Sequence, residues 1–261
     1  FNFVASVAHY AYLQQACVDA GVEALGYIPK DESIVIPSRH LGLSIDETFC
    51  FDTFADRVAE VIDKTVNVDR LLELCTVEFS GEQTEDVVCS GNRKIAIARD
   101  EAFNFMYREN VEALKRAGEV VFFSPLRDKR LPDADLVYFP GGYPELHLPE
   151  LAANEGMRQA VRKYCETGGR VLAECGGMMY LCDTITGDDG KVYPMAGVLK
   201  QGATMEQMKL KLGYREVRVN GQRIRGHEFH YSRILPTNEK IPVIGTIYNA
   251  KDMVVDTPVY T

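Results

Sequence analysis

Four short apolar runs between Lys94 and Glu174 set the strongest constraint on the fold: KIAIA (94–98), EVVFFS (119–124), LVYFP (136–140) and RVLAE (170–174). Runs this short, without in–out alternation, suit strands buried on both faces. Helical stretches lie between them, over roughly 105–117 and 155–167, and glycines stop both (Gly118; Gly168 and Gly169). Parallel strands need such crossovers, because the chain must return to the same end of the sheet. The expectation is an α/β fold, with a mostly parallel sheet and helices on both faces.

The preceding residues repeat the alternation: a strand at Phe1–Val4, a helix at about 9–20 halted by Gly21, and a short strand at 24–27. IPSRHLGL (36–43) is irregular, and 51–74 has helical periodicity broken near Asn67. TVEFSGEQTEDVVCSGN (76–92) is polar and turn-rich, and reads as a linker. After Lys200 the pattern turns β-rich, in REVRV (215–219), RIRGHEFHYS (223–232) and VIGTIY (243–248). The chain thus divides into 1–75, a linker over 76–92, and 93–261. It opens on Phe1 inside a strand, so its natural N-terminus is expected further upstream.

A net charge of −9 argues against nucleic-acid and anionic-membrane partners, since both repel an acidic surface. No apolar run approaches the roughly 20 residues of a bilayer span, and a cytoplasmic location is expected. The seven cysteines (Cys17, Cys50, Cys75, Cys89, Cys165, Cys175 and Cys182) are odd in number and form no CxxC pair. The five histidines do not complete a zinc pattern with them, and no metal site is expected. His227 and His230, three apart on a strand-like stretch, fall on opposite faces.

The chemistry concentrates in GGRVLAECGGMMYLCDTI (168–185). An apolar strand ends at Glu174, Cys175 takes the turn, and two glycines allow a sharp reversal into a helix, which is the logic of a nucleophile elbow. A helix N-terminus there stabilises a thiolate. The Gly176 N–H points towards an oxyanion forming on a carbonyl held by Cys175. FPGGYPE (139–145) also follows a strand, so an N–H from Gly141 or Gly142 is placed to complete the oxyanion hole. Cys182, seven residues beyond Cys175 on the same helical face, reads as core, and so does Cys165.

ARDEAFNF, FFSPLRD, FPGGYPEL, AECGGMMYL and RGHEFHYS resemble, in order and spacing, the amidotransferase domain of the cobyrinic acid a,c-diamide synthase family. The resemblance runs from Lys94 to about Ser232. It reaches back to 1–45, where Asn2, Val4, Ser6 and His9, then GYIP and PSRHLGL, look like the end of the family's ATP-binding domain. It implies a class I glutamine amidotransferase-like domain over 93–261, lacking its last strand, after the tail of a P-loop-type synthetase domain. The implied reaction is ATP-driven amidation of the a and c carboxylates of cobyrinic acid, with glutamine as nitrogen donor, in cobalamin biosynthesis.

The resemblance implies ATP and Mg2+ as cofactors of the intact enzyme. No GxxxxGK[ST] phosphate loop occurs in these residues, so neither is expected to bind this fragment. The implied roles are Cys175 as nucleophile and Gly142 with Gly176 as oxyanion hole. Asn2 is either a nucleotide contact or a strand-end polar residue. Arg39 and His40 either help bind substrate or phosphate, or shape a loop. Glu174 either positions the ammonium of glutamine or is paired structurally. His230 is the nearest visible base for Cys175; the family's activating histidine is expected on a further strand beyond Thr261. Glutamine and a corrinoid are the implied ligands, and a homodimer stays open as the assembly. The alternatives are a nickel-sirohydrochlorin a,c-diamide synthase and a non-catalytic amidotransferase-like docking domain.

Overall fold

The computed structural model describes residues 4, 6–36, 38, 39, 42, 43, 49–77 and 91–261. Asn2, His40, Cys89, the Arg39 side chain, the run at 1–4 apart from Val4 and most of the linker lie outside the described residues. The chain divides into two units, Phe1–Glu85 and Asp86–Thr261. Among the described residues no helix is long and apolar enough to cross a membrane.

The first unit contains α1 (Val7–Asp19), the short pair β1 (Ser38–Arg39) and β2 (Gly42–Leu43), α2 (Phe51–Thr65) and α3 (Val68–Cys75). The Ser6 hydroxyl caps α1 by accepting the His9 N–H at 3.1 Å. Asn67 Oδ1 accepts the Arg70 N–H at 3.0 Å, so the break expected there is an N-cap separating α2 from α3. The run at 24–27 is not a ladder strand; it makes only an isolated bridge, Gly26 with Val66. None of the unit's described residues is fully buried.

The second unit is built on β3 (Arg93–Ala98), α4 (Arg108–Ala117), β4 (Gly118–Phe123), β5 (Leu136–Phe139), α5 (Leu148–Ala153), α6 (Glu155–Glu166) and β6 (Arg170–Ala173). The strands form one parallel sheet in the order β4-β3-β5-β6. The first crossover therefore leaves β3 on one side and the later ones build out on the other, which makes the carboxyl ends of β3 and β5 a switch-point crevice. The helix expected from 105 begins only at Arg108, because the Phe105 N–H donates to the Gly141 carbonyl at 3.0 Å and holds that residue against the β5 exit.

Next come α7 (Gly176–Leu181), β7 (Cys182–Thr186), β8 (Val192–Pro194), β9 (Leu199–Thr204), β10 (Lys211–Val219), β11 (Gln222–His230), β12 (Arg233–Ile234) and β13 (Thr246–Asn249). They complete a mixed sheet, β12-β9-β7-β8, and an antiparallel one, β11-β10-β13. Cys182 is fully buried, as expected of core, but it opens β7 and does not lie on the helix, which stops at Leu181.

The two faces of β3 are filled differently. Ile95 and Ile97 pack with Tyr138, Met106 and Leu114, while Ala96 and Ala98 leave room on the other face for a larger core. That core centres on aromatic rings: Phe139 lies 5.4 Å from Tyr180, 5.7 Å from Phe123 and 6.0 Å from Phe103, centroid to centroid. Tilted and edge-on contacts of this kind add about 0.5–1.5 kcal/mol per pair to the burial of the rings. They brace the floor of the crevice.

Candidate active site

β6 delivers Glu174 and Cys175 to the crevice, and the sharp turn into α7 falls on Cys175 itself, at φ 48° and ψ −110°. A side chain in this region is strained by an order of 1–3 kcal/mol, and such strain persists only where the surroundings enforce it. The neighbouring turn does so. A Cβ added to Gly176 would lie 2.7 Å from Pro144 Cδ and 3.1 Å from the Gly142 carbonyl, so the FPGGYPE turn sits directly against the elbow. Gly142, at φ 156°, allows that approach; a Cβ there would meet the Ala102 carbonyl at 2.2 Å.

Asp100 fastens the third wall. Its Oδ1 accepts the N–H groups of Ala102 and Phe103 at 3.0 and 3.2 Å, and its Oδ2 accepts the Ser124 hydroxyl and the Leu126 N–H at 2.8 and 2.9 Å. The Tyr143 N–H then donates to the Ala102 carbonyl at 2.9 Å. One buried carboxylate thus ties the exits of β3 and β4, and a backbone bond joins the β5 exit to them. The motif ARDEAFNF contains this residue, and its signal was an acidic side chain placed to accept N–H groups two and three residues on.

The sequence places a helix N-terminus at Cys175 to favour a thiolate, and the structure corrects the expected balance. Burial pushes the thiol up, the Gly176 N–H pulls it down, and the charges of Glu145, Glu174 and Glu228 push it up again, leaving it above its ordinary value. Burial is the largest of these effects, and the single N–H of Gly176 at the start of α7 does not offset it.

Glu174 Oε2 accepts the Tyr138 hydroxyl at 2.5 Å, and Glu174 together with burial holds that phenol protonated well above its ordinary range. This is the paired alternative for Glu174. Glu228, on β11 opposite Gly213 of β10, is buried. Burial raises its carboxyl, but hydrogen bonds from His230 and Arg215 outweigh that and hold it low. His230 Nε2 lies 2.8 Å from Glu228 Oε1, and Nδ1 lies 2.9 Å from the Ser232 carbonyl. Both ring nitrogens face acceptors, so His230 presents no free lone pair towards Cys175. His227 is on the opposite face, its ring 6.4 Å from Tyr107.

Cys175, Gly142 and Gly176 therefore meet at the crevice. His230 is near it through Glu228 yet is occupied, and no group of three metal-ligating side chains occurs among the described residues. Glu145, Tyr138 and Glu228 were not singled out from sequence as site residues. Glu145 and Glu228 lie inside the motifs FPGGYPEL and RGHEFHYS, whose glycines and histidines drew the reading, while Tyr138 sits in the apolar run of β5.

Fold and site together define a parallel α/β domain with a strained cysteine at the switch-point crevice, the layout of an amidotransferase domain. The chain belongs to the CobB/CobQ-like glutamine amidotransferase domain family, whose model matches residues 94–258. It is 38% identical to the cobyrinate a,c-diamide synthase of Saccharolobus solfataricus, over 92% of this chain and 57% of that protein. It is 37% identical to the Salmonella typhimurium protein of the same name, over 90% and 54%. It is also 37% identical to the hydrogenobyrinate a,c-diamide synthase of Pseudomonas aeruginosa, over 89% and 53%. The chain spans about half the length of these curated relatives.

Proposed function

We propose that this chain supplies the glutaminase half of an ATP-driven ligase that amidates the a and c carboxylates of cobyrinic acid. The observation that carries the reading is the strained Cys175 seated against Gly142 and Gly176, in a chain similar to named diamide synthases along about nine-tenths of its length. The Cys175 sulfur attacks the side-chain amide carbon of glutamine. The oxygen of the tetrahedral intermediate is received by the Gly176 N–H and by an N–H of the Gly141–Gly142 turn. Ammonia leaves, and water cleaves the resulting thioester to glutamate and free thiol.

The raised thiol needs a proton acceptor. By the family resemblance, this is a histidine on a strand outside residues 1–261. Among the described residues β6 pairs with β5 alone, so the edge beside Cys175 is where such a strand fits. ATP and Mg2+ belong to the synthetase domain. The residues present do not fit them, since the phosphate loop is missing and no cluster of ligating side chains occurs among the described residues. The first unit is read as the tail of that domain, in keeping with the absence of fully buried side chains among its described residues.

The Pseudomonas relative favours a second reading of the substrate, a metal-free corrinoid. The test is Cys175→Ser in the intact enzyme. Glutamine-dependent amidation of cobyrinic acid should vanish while amidation from free ammonia remains. Loss of both would assign Cys175 to folding or to the synthetase site. Running the metal-free ring alongside separates the two substrates.

A further inference from the structure

Burial and three carboxylates raise the Cys175 thiol, and two of the three accept hydrogen bonds from side chains. Glu174 accepts from Tyr138. Glu228 accepts from Arg215 Nε at 2.8 Å, from His230 and from the Thr257 hydroxyl at 3.2 Å. Glu145 lies on the turn Pro144–Leu146, immediately after the glycine pair and against the elbow. It is half-buried, and among the described residues no side chain donates to its carboxylate. A half-buried carboxylate without a counterion is costly, and a ligand cation would relieve that cost.

We propose that Glu145 is a substrate-binding residue that receives the α-ammonium of glutamine beside Cys175. This rests on the glutaminase reading given above. Glutamine differs from other primary amides at its α-ammonium and α-carboxylate, so a site that hydrolyses it selectively needs a partner for the cation. Of the three carboxylates, Glu145 is the one to which no side chain among the described residues donates. The same contact has a second effect. An ammonium set among Glu145, Glu174, Glu228 and the Tyr143 phenol offsets the negative field that holds Cys175 as a thiol, so the substrate promotes ionisation of its own nucleophile.

Burial pushes Glu145 up to about 7, with its own N–H the one group that lowers it. The cation prefers the ionised carboxylate, so affinity should fall as pH drops from 8 to 6.

The experiment compares two electrophiles on Cys175, read by mass spectrometry: 6-diazo-5-oxo-L-norleucine, which carries the α-ammonium, and iodoacetamide, which does not. In Glu145→Gln the inhibition constant of the diazoketone should rise roughly 10–100-fold, the range of a charge-assisted hydrogen bond. Its dependence on pH between 6 and 8 should disappear. Iodoacetamide labelling of Cys175 should move to lower pH, because one negative charge has gone. An unchanged inhibition constant with intact pH dependence would overturn the proposal and leave Glu145 a mere electrostatic neighbour. Should the variant not fold, the desamino diazoketone on the unsubstituted chain gives the same answer: weaker inhibition supports the contact, and equal inhibition overturns it. Diazoketone labelling of Cys175 no faster than that of the exposed Cys50 would remove the glutaminase reading itself, a different failure from loss of pH dependence alone.

Discussion

Cys175 combines strain in its backbone with a thiol held in the protonated form. The strain predicts that Cys175→Gly will be more stable than Cys175→Ala, by about 1–3 kcal/mol, because glycine alone relaxes at this φ and ψ. Denaturant midpoints of the two variants measure the difference, and equal midpoints would show an unstrained turn. The thiol predicts an inversion of ordinary expectation. Cys50 is exposed, and the Thr53 hydroxyl, which donates to its sulfur at 3.1 Å, lowers its thiol. Iodoacetamide below pH 8 should therefore modify Cys50 before Cys175. Both cysteines are exposed, so the difference in rate reports the ease of thiol ionisation and not access.

Among the elements, the hairpin of β10 and β11, paired along nine positions, carries a charge cluster on Glu216. Its carboxylate is held at about 2 by hydrogen bonds from Arg223 and then Arg218, with Arg218 also stacked 3.9 Å over Tyr248 and paired with Asp252. A carboxylate lowered in the folded chain stabilises it above the ordinary value of about 4.3, and that stability is lost as pH falls towards about 2. Glu216→Gln should be less stable at pH 7 and should lose part of its acid sensitivity between pH 4 and 2, as thermal melts across that range would show. An unaltered acid limb would exclude Glu216 from the linkage. The strands of the parallel sheet were legible because four apolar runs alternate with helical stretches. β7, β8 and β9 were not, because CDTIT at Cys182–Thr186 follows α7 directly, with no glycine or proline to mark the change of element. The same holds within the site. Cys175, Gly142 and Gly176 stand at strand-end turns that a motif marks, whereas the pairing of Glu174 with Tyr138, and of Glu228 with Arg215 and His230, depends on strand register.

At the scale of the molecule the two units differ in what they bury. The second holds every fully buried residue described, while Val7, Tyr12 and Phe51 of the first are exposed at 75%, 77% and 61%. Residues 86–261 alone should unfold in one cooperative transition, and residues 1–85 alone should show none, by circular dichroism with denaturant. A cooperative transition in the shorter piece would remove the reading of it as a domain's tail. Calorimetry of the whole chain with ATP and magnesium should give no binding signal, since the glycine-rich loop and lysine that hold phosphates are missing from the sequence. Micromolar affinity would overturn that. Among the described residues β6 pairs with β5 alone, and this outer edge has a further effect on how the chain behaves in bulk. It exposes a row of backbone donors and acceptors next to Leu172, itself 46% exposed, and an unguarded edge of this kind recruits strands from other molecules. At high concentration the isolated chain should self-associate through β6, and each molecule so captured would close over its neighbour's nucleophile.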